Sequence, residues 1–114
     1  MRIYLNLQLK DGIEPKELLK FGFVPKYDTD TGEIKEYYRK FWINEQEKRH
    51  FTFVLHRDWH SKLFKRFEYE AWMTGFNWSE VATPECMQML YELIINGIVE
   101  PTKRTAINNG DKIK

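Results

Sequence analysis

The sequence has a single cysteine, Cys86, so no disulfide can form within the chain. A lone thiol fits a reducing compartment, where folding rests on packing instead of cross-links. Long hydrophobic runs are missing as well. No stretch approaches the roughly 18 apolar residues of a membrane helix, and the opening Met1–Gly12 segment has none of the apolar core of a secretory leader. A cytoplasmic protein with no membrane partner is the expectation. Charge of one sign is also scarce: 18 Lys and Arg against 17 Asp and Glu leave a formal net charge of +1. No bulk field draws such a chain to nucleic acid or an acidic membrane. The six glycines are scattered among turns and helix ends. None forms a phosphate-cradling loop, so no nucleotide-dependent chemistry and no cofactor is implied.

What is present is a globular balance in 114 residues, with 42% hydrophobic and 31% charged side chains. That length suits one core, not two. The expectation is a single α+β domain over residues 1–101, followed by a loose polar tail at 102–114. Aromatics are abundant, with 4 Trp, 6 Tyr and 8 Phe. Large rings can fill a small core, and a surplus can supply a binding surface.

Residues 2–9 alternate, with Ile3, Leu5, Leu7 and Leu9 on one side, the period of a half-buried strand. Pro15 opens a short helix with Leu18, Leu19 and Phe21 as its apolar side, and Gly22 suits its end. Strands follow near 23–28 and 33–44, separated by the turn sequence Asp28-Thr-Asp-Thr-Gly32. Phe51, Phe53 and Leu55 share one face of a further strand at 50–57. Residues 58–74 fit two patterns. Asp58 as an N-cap, with Trp59, Leu63, Phe67 and Ala71 at four-residue spacing, predicts a helix; the strand alternative has Lys65 interrupting its apolar face. The helix is the preferred reading. The last helix starts at Thr83-Pro84, carries Met87, Leu90, Tyr91, Leu93 and Ile94, and stops at Gly97, where Ile98 folds back. The predicted architecture is a small antiparallel sheet of three to four strands with helices packed on one face.

Four sets of residues invite a chemical reading. His56 and His60 lie close enough in sequence to share a metal, with Asp58 or His50 as a third ligand. A strand-to-helix junction capped by Asp58 explains them equally simply, and no metal is assigned. Asp28, Glu33 and Lys35 carry the residue types of a Mg²⁺-dependent nuclease. All three crowd one turn, however, and that chemistry needs carboxylates converging from separate strands. Cys86 sits in the first turn of the last helix, where the helix dipole favours a thiolate. Glu85 beside it works against that, and no local sequence supports nucleophilic catalysis. No catalytic residue and no enzyme activity is therefore predicted. The fourth set is Trp72, Phe76 and Trp78, in an irregular segment leaving 58–74, which is the candidate interaction surface.

Two resemblances add to this. Ile3-Tyr4-Leu5-Asn6-Leu7 and Arg49-His50-Phe51-Thr52-Phe53-Val54 resemble the first- and third-strand signatures of RNA-recognition motifs. The resemblance implies that Tyr4, Phe51 and Phe53 stack on bases of a single strand. His50 and Thr52 depart from it, since small residues are needed there, and His56 stands where an aromatic is expected. Leu19-Lys20-Phe21-Gly22-Phe23, together with residues 90–100, is similar to segments of small uncharacterised phage and prophage proteins. That likeness implies a phage origin and action on a host or defence component. The functional expectation is a non-enzymatic macromolecule-binding protein with a protein partner. A single-stranded nucleic-acid-binding domain is the first alternative, a metal-binding protein using His56 and His60 the second, and a homodimer is compatible with the interaction reading.

Overall fold

The structure is a computed structural model that describes residues 2–58, 61–71 and 78–102. Six strands form one sheet: β1 (Arg2–Leu9), β2 (Val24–Tyr27), β3 (Ile34–Asn44), β4 (Arg49–Arg57), β5 (Phe64–Ala71) and β6 (Val99–Pro101). Their order is β2-β3-β4-β5-β1-β6, and every neighbouring pair is antiparallel. A 3₁₀ helix (Pro15–Phe21) and two α-helices, α1 (Trp78–Val81) and α2 (Pro84–Ile95), complete the described residues. The α+β class holds, and the sheet is larger than the three to four strands expected.

The two unforeseen strands have separate causes. Residues 64–71 are β5, not part of a helix, and they hydrogen-bond to β4 on one side and β1 on the other. Phe67, Tyr69 and Ala71 are buried at every second position, which is the strand period. Leu63, which the helical pattern needed on its apolar stripe, is instead 58% exposed. Lys65, the residue that broke the strand pattern, lies near the start of β5 and pairs with Asp11 at 3.2 Å. The other strand, β6, has only three residues and ends at Pro101. It completes its pairing against β1 at Leu7 to Leu9, and such a short segment has no period to detect. Both sheet edges, β2 and β6, are short and contain a proline, which limits edge-to-edge pairing with other chains.

The core lies against one face of the sheet. Phe51, Phe53, Leu55 and Phe67 are fully buried there, with Phe23, Tyr37, Phe41 and Tyr69 nearly so. Rings meet edge-on or tilted, as between Phe53 and Phe67 at 5.1 Å and Phe53 and Tyr69 at 5.3 Å. Leu18 from the 3₁₀ helix, Val81 from α1, and Cys86, Met89 and Leu93 from α2 join the same cluster. An ion pair between Arg49 and Glu80 also ties α1 to the start of β4.

The helix ends follow their sequence signals. Gly22 takes φ 84, and its N–H donates to Leu19 O at 3.4 Å. Thr83 Oγ1 accepts from the Cys86 N–H at 3.2 Å, capping α2. At the other end of α2, the Ile98 N–H returns to Leu93 O at 2.9 Å and the Ile98 side chain is buried.

Candidate functional site

The residues expected to stack on bases are not on a free surface. Phe51 and Phe53 are 0% exposed and point into the helix-covered face. Their ring faces are occupied by Phe41, Phe67 and Tyr69. A ring that cannot reach solvent cannot accept a base, so the carry-over from RNA-recognition motifs fails at these two positions. Tyr4 pairs with Glu68 in the β1–β5 ladder, and β5 separates it from β4.

The opposite sheet face is polar. His56 Nε2 lies 2.5 Å from Glu68 Oε1 and 3.8 Å from Glu70 Oε2, while His56 Nδ1 is 3.7 Å from Glu36 Oε1. His56 is thus set among carboxylates of β3 and β5. Asp58 Oδ2 instead accepts from the Ser61 N–H at 3.0 Å and from its hydroxyl at 2.6 Å, closing the turn into β5. His60 lies outside the described residues. Among the described residues, no three ligating side chains converge in a metal-binding arrangement. Further along this face, Trp42 meets His50 edge-on at 5.4 Å, with the Lys40 ammonium 5.3 Å from its ring.

The turn acids are similarly occupied. Asp28 Oδ1 accepts from the N–H groups of Asp30 at 2.8 Å and Thr31 at 3.2 Å. Those two donors hold its carboxyl below the usual carboxylate range. Glu33 pairs with Arg57 at 3.0 Å. The carboxylates serve the β2–β3 turn and an ion pair, not a shared metal position.

Cys86 is fully buried, and its Sγ lies 3.9 Å from the Tyr69 hydroxyl. Burial pushes the thiol up to about 11, although Tyr69 and Arg39 oppose the shift. Desolvation therefore outweighs both, and near neutral pH the group is a packed thiol, not a nucleophile. Burial raises the Tyr69 hydroxyl above its ordinary value in the same way.

The main exposed apolar feature is the outer side of α2. Cys86, Met89 and Leu93 form its inner line. At roughly 100° per residue, Ile94 and Met87 fall about a third of a turn round the helix from that line, and Tyr91 and Ile95 nearly opposite it. Met87 is 41% exposed, Tyr91 58%, Ile94 59% and Ile95 60%. The apolar arc of α2 is thus wider than the sheet covers. Glu85 and Glu92 are the charged residues of this helix, which carries no lysine or arginine. Leu19, on the 3₁₀ helix that packs beside α2, is 49% exposed as well. The sequence pattern marked this helix as broadly apolar without separating a core side from an outer one. The clue to an outer stripe was the width of the arc, from Met87 round to Ile95, which exceeds one packing face. Of the aromatic segment expected to bind, Trp72 and Phe76 lie outside the described residues. Trp78 is described only as the first residue of α1.

Among the described residues, no helix is long and apolar enough to cross a membrane. No known protein family, curated protein or solved structure matches this chain. Its chemistry therefore has to be read from its own residues.

Proposed function

We propose that the protein is a non-enzymatic binding protein that engages another protein through the outer side of α2. The observation that carries this reading is the stripe of Met87, Tyr91, Ile94 and Ile95, each more than two-fifths exposed. Spacings of three and four residues are those by which one helix lays an apolar edge into a groove. Covering such side chains is favourable by about 25 cal/mol per Å² of apolar surface removed from water. Tyr91 adds a ring with a polar tip, a type enriched where interfaces concentrate their energy. The helix carries Glu85 and Glu92 and no cation. The complementary partner is an apolar groove edged by lysine or arginine. The phage origin expected from residues 19–23 and 90–100 directs the search toward a host or defence component.

The test is capture from lysate of the natural host after nuclease treatment, with the unaltered chain and Ile94→Glu side by side. A protein retained by the first and lost with the second supports the reading. Ile94 is exposed, so the substitution should change folding stability by no more than about 0.5 kcal/mol. Equal capture by both chains, or captured material that disappears with nuclease, overturns it. Light scattering on both chains separates a foreign partner from a second copy of this one: a dimer broken by Ile94→Glu would identify the partner as the chain itself.

A further inference from the structure

At the end of the sheet where the chain leaves β1 for the 3₁₀ helix, an open cleft of about 510 Å³ separates residues 9–16 from residues 62–65. That volume lies within the roughly 300–1,000 Å³ range of small-molecule sites. Its apolar lining comes from Ile13, Tyr37 and Phe64. The Tyr37 and Phe64 rings meet edge-on with centroids 5.4 Å apart, so each is fixed by the other and by the core behind. Tyr37 is nearly buried, so the half-buried Phe64 offers the aromatic surface, and a ring fixed in this way receives a planar ligand without a large ordering cost.

The charged part of the lining is mainly cationic. Lys10, Lys16, Lys62 and Lys65 border the cleft, against two acids, Asp11 and Glu14. This surplus is local, since the whole chain carries only +1. Lys16 pairs with Glu14 at 3.1 Å and Lys65 with Asp11 at 3.2 Å. The partners in both pairs are 45% exposed or more. Exposed pairs of this kind contribute only about 0–1 kcal/mol, so an incoming anion can displace the carboxylates at small cost. Apolar ring contacts and a surrounding set of ammonium groups together select a ligand that is aromatic at one end and anionic at the other.

We infer that this cleft binds a small aromatic phosphate, with the ring against Phe64 and the phosphate among the lysines. The lysines come from segments about fifty residues apart, so the site exists only in the folded chain. It is distinct from the α2 stripe and does not depend on it.

The experiment is a titration of the ¹⁵N-labelled full chain with 1-naphthyl phosphate and, separately, with adenosine 5′-monophosphate, read by backbone amide shifts. Inorganic phosphate and 1-naphthol serve as the two halves of the first probe. The expected result is saturable shifts confined to residues 9–16, 37 and 62–65 for at least one aromatic phosphate. Each half should bind at least tenfold more weakly. Lys10→Glu/Lys16→Glu, which reverses two cations of the rim, should weaken binding at least tenfold. Ile94→Glu should leave it unchanged, which separates this site from the protein-binding reading. The inference is overturned by any of three results: no saturation by either aromatic phosphate at millimolar concentration, phosphate alone binding as well as the full probe, or equal binding by the charge-reversed variant.

Discussion

Replacing Phe53 by alanine tests the placement of the aromatic core directly. If the ring were a surface platform for bases, its loss would alter stability by about 0.5 kcal/mol or less. In the fold it is fully buried, with Phe23 at 6.1 Å, Phe67 at 5.1 Å and Tyr69 at 5.3 Å between ring centroids. Truncating a buried phenylalanine costs about 3–5 kcal/mol, and three ring neighbours put Phe53→Ala in the upper half of that range, about 4–5 kcal/mol. At about 2.1 cal/mol/K of unfolding entropy per residue, 114 residues give about 240 cal/mol/K, so a loss of 4 kcal/mol lowers Tm by about 17 °C. The assay is urea unfolding followed by circular dichroism and tryptophan fluorescence, with Phe53→Leu alongside at an expected loss of about 1–1.5 kcal/mol. The leucine variant keeps most of the volume and remains measurable if the alanine variant does not fold. A loss below about 1 kcal/mol for Phe53→Ala, or no loss for Phe53→Leu, would refute the inward placement of this strand face.

Gly22→Ala should destabilise by about 1–2 kcal/mol in the same assay, since φ is 84 and the new Cβ would stand 3.2 Å from Arg39 Nε. Arg39 Nη1 donates to Phe21 O at 2.7 Å, so the Cβ presses on a bonded group; Gly12→Ala, at φ 89 with nothing within 4 Å, should cost less. Stability should also fall between about pH 9 and pH 11. The folded chain holds the Cys86 proton up to about 11, whereas the unfolded chain releases it near its ordinary value of 9.0, so above that value the unfolded state binds fewer protons. Two units at 1.36 kcal/mol each give about 2–3 kcal/mol lost, with the raised Tyr69 hydroxyl adding in the same direction. Urea midpoints at pH 8 and 10.5 measure this, and Cys86→Ala should flatten the dependence; an equally steep fall in that variant would count against the assignment to the thiol.

Local signals were legible wherever the chemistry is local. The period of two in Phe51, Phe53 and Leu55, the cap at Thr83-Pro84 and the left-handed end at Gly22 each depend on residues only a few positions apart. Each appears in the structure where the sequence put it. Residues 58–74 were misread because Trp59, Leu63, Phe67 and Ala71 satisfy the helical spacing while Phe67, Tyr69 and Ala71 satisfy the strand spacing. Only the pairing of β5 between β4 and β1 decides between them. Cys86 shows the same division: its place in the first turn of α2 is visible in sequence, whereas the desolvation that raises its pKa comes from burial in the tertiary core.

The candidate binding surfaces divide along the same line. From sequence alone came an α+β chain, rich in aromatics and nearly neutral, with a broadly apolar last helix and no convincing catalytic set. Composition and short-range periodicity determine those properties. Which aromatics face inward, which side of α2 stays uncovered, and how Lys10, Lys16, Lys62 and Lys65 come to border one cleft were decided by tertiary structure. The cause is strand order. Placing β5 beside β1 brings a loop near residue 62 against a loop near residue 12, and no local pattern records which distant segments will meet.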